Sequence, residues 1–333
     1  MTFQKDCPMK LASFSRCAGV AVLASLALVG VAHAQADYPN KPITIVVGYP
    51  PGGSTDLNGR VLAAELAKKL GVSVVVENIG GAGGAIGAQK VANATPDGYT
   101  LLVGANNEIA ISRLVSASVK YTLKDFTPIG LIASQPMVLV ASTKTGVKNT
   151  DQFLNLAKAN PGRFSYGSSG VGTALHLAGE MIKDEAGIFL THIPYRGVAP
   201  LTNDLLGNNI EFGVYVLSSG LPHIKAGKVV ALGTTEKKRS HVTPDVPALA
   251  EHPKLKHIDI SSWFALMGPA KLPAPVLTKL QKALADALQS PELRKKLEDS
   301  GSAIAPLNVD MNKFLADETA KYQKIVDFAK IRE

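Results

Sequence analysis

Cysteine is scarce in this chain, and both of its cysteines, Cys7 and Cys17, precede the first apolar run. Removal of that leading segment would leave a chain without thiols. Disulfide bonds, thiol catalysis and cysteine metal sites would then be excluded. A chain of 333 residues can bury a sizeable core in two domains, so its stability does not require disulfides.

The first apolar run is too short to anchor a protein in a membrane. Residues 18–32 form 15 positions without a charge, whereas a membrane-spanning helix needs about 20 apolar residues. Lys5, Lys10 and Arg16 precede the run, and the small-x-small pattern Ala32-His33-Ala34 follows it. This order is typical of a secretory signal peptide. We therefore predict export, with cleavage after Ala34.

Long basic segments are also missing. The whole chain carries a net charge of +8 at pH 7, but no run of lysine and arginine is longer than three residues, as in Lys237-Lys238-Arg239. A mild positive excess helps to attract anions, but it does not form the basic patch that nucleic-acid binding requires. We predict no nucleic-acid partner.

Apolar strand patterns alternate with helical patterns, which predicts an α/β fold with parallel strands. The first strand is predicted at 43–47, and Leu62, Leu66 and Leu70 then line one face of a helix that Gly71 ends. After an irregular stretch beyond residue 103, a second group of strands and helices begins. Further strands are predicted at 72–76, 99–103, 163–167, 189–193, 210–216 and 229–233, and further helices at 151–159, 173–184, 274–289 and 309–330, with a short helix opening at Ser290-Pro291.

The long C-terminal helices have no strands of their own, so we expect them to cover the first strand group. This arrangement requires the chain to cross between two α/β lobes near 131–135 and again near 262–267, which would form a hinge. We predict a signal peptide at 1–34, lobe one at 35–134 plus 263–333, and lobe two at 135–262.

Two loops combine glycine with hydroxyl residues between a predicted strand and a predicted helix. They are Pro51-Gly52-Gly53-Ser54-Thr55-Asp56 and Ser168-Ser169-Gly170-Val171-Gly172-Thr173. Glycine lets the backbone approach a ligand closely, and a helix N-terminus offers unpaired N–H groups with partial positive charge. Each loop is therefore a candidate anion site, although the same residues can simply cap a helix.

These loops belong to a longer set of motifs that resembles one protein family. The chain resembles the extracytoplasmic solute-binding proteins of tripartite tricarboxylate transporters, the Bug or TctC-like family, over almost all of the chain after residue 34. The motifs that carry the resemblance are Tyr38-Pro39-Asn40-Lys41-Pro42-Ile43, Pro50-Pro51-Gly52-Gly53-Ser54-Thr55-Asp56, Glu77-Asn78 before Gly83-Gly84, Ala94-Thr95-Pro96-Asp97-Gly98-Tyr99-Thr100-Leu101, Tyr166-Gly167-Ser168-Ser169-Gly170-Val171-Gly172-Thr173, His176-Leu177-Ala178-Gly179-Glu180, His192-Ile193-Pro194-Tyr195-Arg196-Gly197, Pro244-Asp245-Val246-Pro247-Ala248-Leu249-Ala250-Glu251 and Trp263-Phe264.

The resemblance implies a two-lobe periplasmic-binding-protein fold of the Venus-flytrap kind, type II-like, with two crossover strands at the hinge. It implies a periplasmic receptor that captures a di- or tricarboxylate, aliphatic or aromatic, and delivers it to the membrane components of a tripartite tricarboxylate transporter. We expect a monomer without a cofactor. The candidate ligand-binding residues are Tyr49, Gly53, Ser54, Thr55, Asp56, Ala105, Asn106, Ser168, Ser169, Gly172, Thr173, His176 and Tyr215.

The chain departs from the family at two places near the expected cleft. A Phe-Asp-Asn-like segment is common in the family, but Val214-Tyr215-Val216 stands here, so a carboxylate is replaced by a phenol. This change favours a ligand without an ammonium group. Gly104-Ala105-Asn106-Asn107 replaces a Gly-Thr-Ser-Ser-like segment, which substitutes amides for hydroxyls.

Enzyme functions find weaker support in the sequence. Gly167-Ser168-Ser169-Gly170-Val171 does not have the spacing of a nucleophile elbow. His176 and Glu180 lie one helical turn apart, as two metal ligands can, but no second histidine is nearby. We therefore predict no catalytic residues and no metal. The alternative function is a secreted α/β hydrolase or lyase acting on a carboxylate.

Overall fold

The chain folds into alternating strands and helices in a computed structural model that describes residues 38–331. The predicted signal peptide lies outside the described residues. The strands are β1 (Ile43–Val47), β2 (Val74–Asn78), β3 (Thr100–Ala105), β4 (Phe126–Ser142), β5 (Ser165–Ser168), β6 (Thr191–Pro194), β7 (Phe212–Val216), β8 (Val229–Thr234), β9 (Ser261–Pro269) and β10 (Ala303–Ile304).

The helices follow the strands in the order that an α/β fold requires. They are α1 (Ser54–Leu70), α2 (Ala85–Ala92), α3 (Ser112–Val115), α4 (Thr150–Ala159), α5 (Ala174–Ala186), α6 (Val198–Leu206), α7 (Leu217–Lys225), α8 (Ala274–Leu288), α9 (Pro291–Glu298) and α10 (Met311–Ala329). A π-helical segment, Asn107–Ile111, connects β3 to α3, and short 3-10 turns occur at Ala82–Gly84, Leu123–Asp125, Thr143–Thr145, Leu249–Glu251 and Pro253–Leu255.

The strands form two sheets that share β4. Their order is β2-β1-β3-β9-β4-β7-β5-β6, with β8 and β10 also paired to β4. β1 is parallel to β2 and β3, and β5 is parallel to β6 and β7. The pairs of β9 with β3 and β4, and of β4 with β7, are antiparallel. This architecture is the α/β, two-lobe binding-protein class that the sequence predicts.

The long strand β4 carries the chain from one sheet to the other. Residues 126–136 pair with β9 in the first sheet, and residues from Met137 onward pair with β7 in the second. The sequence predicts an irregular stretch after residue 103 and a crossing near 131–135, and Pro128, Gly130 and Pro136 disfavour a regular strand. Register shifts between Pro128 and Gly130 and between Leu131 and Ala133 accommodate two of these residues. The lobe boundaries themselves stay a prediction.

The C-terminal helices return to the first sheet. α8 packs against α1 and β4, and α9 packs against α1. α10 contacts both the π-helical segment and α5, so it lies against elements of both sheets.

The parallel strands place several loops at one edge of the sheets. The carboxyl ends of β1, β5 and β6 lead into α1, α5 and α6, and β3 leads into the π-helical segment. Ligands of open α/β sheets bind at the carboxyl ends of strands. The fold therefore gathers the glycine-hydroxyl loops where a binding site is expected.

Candidate functional site

Three helices begin around one small cavity, which we name the inner cavity. α1 contributes Ser54 and Thr55, α5 contributes Ala174 and Leu175, and α6 contributes Val198 and Ala199. Its volume is about 40 Å³. Its lining residues are Tyr49, Pro50, Pro51, Gly53, Ser54, Thr55, Ala105, Asn107, Ser169, Ala174, Leu175, Val198, Ala199, Val216 and Ser262.

Two of the three helices begin without a side-chain cap. Gly53 precedes α1 and Gly197 precedes α6, and neither position supplies a capping hydrogen bond from a side chain. Gly197 adopts φ 107°, a left-handed conformation that favours glycine. The first-turn N–H groups of a helix have no partner inside the helix. Those of α1 and α6 therefore remain available to an anion in the inner cavity.

The third helix, α5, is capped within the protein. The Thr173 hydroxyl accepts a hydrogen bond from the His176 N–H at 3.3 Å, and the Ala174 N–H donates to Asn107 Oδ1 at 2.6 Å. The Asn107 amide nitrogen in turn donates to the Tyr49 hydroxyl at 2.7 Å. Asn107 therefore links the start of α5 to Tyr49. α5 follows β5 in the second sheet, and Tyr49 follows β1 in the first.

A buried carboxyl, Glu108, lies behind Tyr49. Glu108 Oε1 accepts from the Ala105 N–H at 2.8 Å, and Oε2 lies 3.1 Å from the Tyr49 hydroxyl, which is also 2.6 Å from the carbonyl of Gly83. Burial raises the pKa of Glu108 to about 7, although the Ala105 N–H opposes this. Tyr49 has a single proton for two acceptors. A protonated Glu108 can donate to Tyr49 while Tyr49 donates to Gly83.

A larger space, which we name the outer groove, adjoins the inner cavity. It measures about 770 Å³ and shares Tyr49, Pro50 and Ser169 with the inner cavity. Within residues 38–331, Arg196 is the one charged residue that lines it. The other lining residues are Gly80, Gly81, Ala82, Gly83, Gly84, Ile86, Ser112, Val115, Ser116, Ser118, Val119, Gly170, Val171, Pro194, Tyr195 and Gly197.

Six of the residues predicted from the sequence line the inner cavity. They are Tyr49, Gly53, Ser54, Thr55, Ala105 and Ser169. Asp56 does not, because its carboxylate accepts hydrogen bonds from Arg60 at 3.0 Å and from the Gly52 N–H at 2.9 Å. Burial opposes ionisation of Asp56, but these bonds lower its pKa. Asp56 thus stabilises the conformation of the β1–α1 loop through its hydrogen bond from Gly52.

Asn106 also lies outside the lining of both cavities. Its side chain is fully buried, and its amide nitrogen donates to the Tyr322 hydroxyl at 2.7 Å and to the Ser261 carbonyl at 3.1 Å. The sequence predicts amide donors near the cleft, and the residue that reaches the inner cavity is the neighbouring Asn107.

The β5–α5 loop is stabilised by three predicted site residues that do not line either cavity, Ser168, Thr173 and His176. Ser168 Oγ lies 2.7 Å from His192 Nε2, and the rings of His192 and His176 stack at 3.8 Å with a 9° angle between their planes. Burial lowers the pKa of His176 to about 4 and that of His192 to about 3. Both rings are therefore neutral at pH 7.

Gly172 allows this loop to pack closely against α3, because it has no side chain. A Cβ atom placed on Gly172 would lie 2.2 Å from Val115, and the residue has φ 66°. Its N–H donates to His176 Nδ1 at 3.0 Å. Gly172 thus shapes the loop, while its N–H is already occupied.

Tyr215 lies in the core rather than in the inner cavity. Its side chain is 1% exposed and packs in a hydrophobic cluster with Val138, Leu201 and Leu217. Adjacent residues of a strand face opposite sides, and Val216 is the residue of β7 that lines the inner cavity. The prediction that Tyr215 faces the ligand is therefore wrong, since Val216 faces the inner cavity instead. Tyr215 gives no support for a ligand without an ammonium group.

Two parts of the inner cavity are not indicated by the sequence. Its pattern predicts no helix at Val198 and Ala199, which line the inner cavity, and it favours Asn106 over the lining residue Asn107. A usable signal was present at Gly197, which follows β6 and repeats the strand-glycine-helix pattern of the other two loops.

Within residues 38–331, no group of three or more His, Cys, Asp or Glu side chains is placed to hold a metal ion. Glu180, the candidate partner of His176, accepts from the Tyr166 hydroxyl at 2.6 Å and pairs with Lys183 at 2.8 Å. His176 Nε2 lies 3.7 Å from Glu180. Over the same residues, none of the helices has the length and apolarity to cross a membrane.

Comparisons with known proteins agree with this architecture. The family model described as "Tripartite tricarboxylate transporter family receptor" matches residues 59–331. A UPF0065 protein from the TAR-I ttuE-ttuC' intergenic region of Agrobacterium vitis is 36% identical over 290 residues, which cover 87% of this chain and 83% of that protein.

Solved structures with bound carboxylates are similar over most of the chain. R. palustris Rpa4515 with adipate has a TM-score of 0.85 and 31% identity, covering 89% of this chain and 99% of that one. MatC from Rhodopseudomonas palustris with bound malate has a TM-score of 0.81 and 28% identity, covering 87% and 100%.

Proposed function

Because the chain belongs to the tripartite tricarboxylate transporter receptor family, we propose that it is a periplasmic receptor for a small organic carboxylate. It captures the ligand between loops of its two sheets and passes it to the membrane components of such a transporter. The predicted signal peptide supports export to the periplasm.

The observation that carries this proposal is the meeting of three helix N-termini at the inner cavity. Each N-terminus carries a partial positive charge of about half a unit. The uncapped starts of α1 and α6 supply backbone N–H groups from both sheets. Such groups bind carboxylates without a charged side chain, and none of the described residues that line the inner cavity is charged.

The linings favour an anion without an ammonium group. Neither the inner cavity nor the outer groove is lined by an aspartate or glutamate among the described residues. A buried ammonium would lack a carboxylate partner there, which costs free energy. Similar proteins with adipate and malate bound also support a carboxylate ligand.

A hydrolase or lyase function has less support from the geometry. The contact closest to a nucleophile–base pair joins Ser168 to His192, but Ser168 is fully buried and does not line either cavity. Ser168 also donates to the Gly170 carbonyl at 3.0 Å. These contacts favour a structural role for the pair.

Calorimetry and thermal unfolding of the purified chain without residues 1–34 test the function. The ligands are mono-, di- and tricarboxylates, both aliphatic and aromatic. At a concentration of 100 times its dissociation constant, a true ligand stabilises the fold by about 2.7 kcal/mol. Chromatography after prolonged incubation should recover that ligand unchanged. Failure of every carboxylate to bind would contradict the receptor function, and steady conversion of the ligand would favour the enzyme.

A further inference from the structure

The two cavities are neighbours and differ greatly in volume. Tyr49, Pro50 and Ser169 line both, so the inner cavity lies next to the outer groove. One water molecule requires about 10–15 Å³, so the 40 Å³ of the inner cavity holds a carboxylate group and little more. The remainder of a ligand that places a carboxylate at the helix N-termini must lie in the outer groove.

One wall of the outer groove is suited to the body of an organic molecule. Gly80, Gly81, Gly83 and Gly84 line this wall and have no side chains, so their backbone forms part of its surface. Ile86 is 53% exposed, and Val115 and other apolar residues also line the groove. Methylene groups or a ring can pack on this surface.

Among the described residues that line the two cavities, Arg196 alone carries a charge. It is exposed, and no carboxylate among residues 38–331 pairs with its guanidinium, in contrast to Arg60, Arg239 and Arg294. It lines the outer groove directly before Gly197, the residue that precedes α6. Guanidinium groups bind carboxylates in a bidentate manner.

From these observations we propose that the receptor binds an elongated diacid end-on. One carboxylate lies in the inner cavity, the body lies in the outer groove, and Arg196 pairs with the second carboxylate. Arg196 thereby selects diacids over monoacids of equal length. This inference rests on the proposed function, and it adds the shape of the ligand and a residue that determines specificity.

Calorimetry with a series of linear acids tests the inference on the chain without residues 1–34. The ligands are succinate, glutarate, adipate, pimelate, suberate and the monoacids of the same lengths. Wild-type protein should bind one diacid length best, and at least about tenfold more tightly than the matching monoacid, as a charge-assisted pair requires. Arg196→Gln should remove most of this ratio and leave monoacid affinity within about twofold.

Three further variants separate the effect of charge from the effect of structure. Arg163→Gln removes another exposed arginine of the second sheet region, outside both linings, and should retain the wild-type ratio. Arg196→Lys keeps the charge and should recover part of the ratio. Ser118→Trp fills the outer groove from an exposed position, so it should weaken the best diacid and its monoacid alike.

The outcomes distinguish this inference from the proposed function. If diacids bind but Arg196→Gln retains the diacid-to-monoacid ratio, or if monoacids bind as tightly as diacids to wild-type protein, the end-on pairing is wrong and the receptor function stands. If none of the wider set of carboxylates binds to wild-type protein, the proposed function fails and this inference fails with it.

Discussion

At the scale of single residues, the amide of Asn107 has a larger role than its place in the sequence suggests. It accepts from the Ala174 N–H and donates to the Tyr49 hydroxyl, so both ends of one amide are used across the site. An amide is suited to this place because it is neutral and offers both a donor and an acceptor. A charged group here would change the field that a ligand carboxylate meets.

Asn107→Asp should therefore weaken carboxylate binding by at least about tenfold, since it places a negative charge in the lining of an anion site. It also removes the donor to Tyr49. Calorimetry with the best ligand measures the loss, and thermal unfolding checks the fold. Asn93→Asp, at an exposed position, serves as the control. Unchanged affinity in folded Asn107→Asp protein would remove Asn107 from the site.

Glu108 should make stability depend on pH in a defined direction. Its pKa is about 7 in the folded protein against 4.5 in the unfolded chain, so the folded state binds more protons between these values. The resulting stabilisation is complete below about pH 4.5 and is lost as pH rises through 7. His176 and His192 act in the opposite direction at lower pH, because burial lowers their pKa values to about 4 and about 3, so that their contribution to stability increases as pH rises from these values to 6.5.

Glu108→Gln should flatten the alkaline part of this profile. Glutamine stays neutral, and it can donate to the Tyr49 oxygen while accepting from the Ala105 N–H, as protonated Glu108 does. Urea unfolding between pH 5 and pH 8.5, an interval chosen to span the Glu108 pKa, gives the comparison. If wild type and Glu108→Gln lose stability equally above pH 6.5, the charge on Glu108 does not cause the loss.

At the scale of secondary structure, the local sequence pattern predicts most of the regular strands and helices. It does not predict elements whose formation depends on pairing or packing with distant segments. The strand at Ile43–Val47 and the helix end at Leu70 agree with the sequence prediction to the residue. The sequence predicts a crossing near 131–135 but not the length of β4, because its prolines and glycine disfavour a strand, whereas pairing with β9 and β7 stabilises one over Phe126–Ser142. The helix Val198–Leu206 was missed because Pro200 suggests a turn, although proline is compatible with the first turn of a helix.

The sequence predicts the parts of the candidate site that backbone groups form. It does not predict which side chains of a strand face the inner cavity. Glycine next to Ser or Thr at a helix start indicated the loops that line the inner cavity. A single sequence does not define which side of β7 faces that cavity. Val216 lines it and Tyr215 packs in the core because neighbouring strands fix the facing.

The start of α6 gives a test of backbone recognition. Ala199→Pro deletes one N–H of the inner-cavity lining, and proline is tolerated in the first helical turn, so the fold should persist. We expect affinity for the best carboxylate to fall about tenfold, the value of one hydrogen bond to a charged group. Ala199→Ser keeps the N–H and should bind as wild type does. Equal calorimetric affinities for Ala199→Pro and Ala199→Ser would contradict recognition by this helix start.

At the scale of the whole molecule, the donors of the inner cavity come from both sheets. α1 follows the first sheet, whereas α5 and α6 follow strands of the second, and β4 connects the two sheets. A ligand that uses donors from both sheets is bound fully only when the loops lie as close as Asn107 and Ala174 do. Ligand binding therefore favours the closed arrangement over any in which the sheets lie further apart.

This coupling predicts that a bound carboxylate makes the protein more compact in solution. Small-angle X-ray scattering of the chain without residues 1–34 should give a smaller radius of gyration with a saturating ligand than without it, because closure about β4 brings the two sheets together. The weakened Asn107→Asp variant should show a smaller change in radius at a ligand concentration that saturates wild-type protein but lies below the dissociation constant of the variant, which separates closure from a solvent effect. A tight ligand that saturates wild-type protein and leaves its radius unaltered would mean that the free protein is already closed. In that case the inner cavity would be preformed, and the affinity would carry no contribution from movement of the sheets.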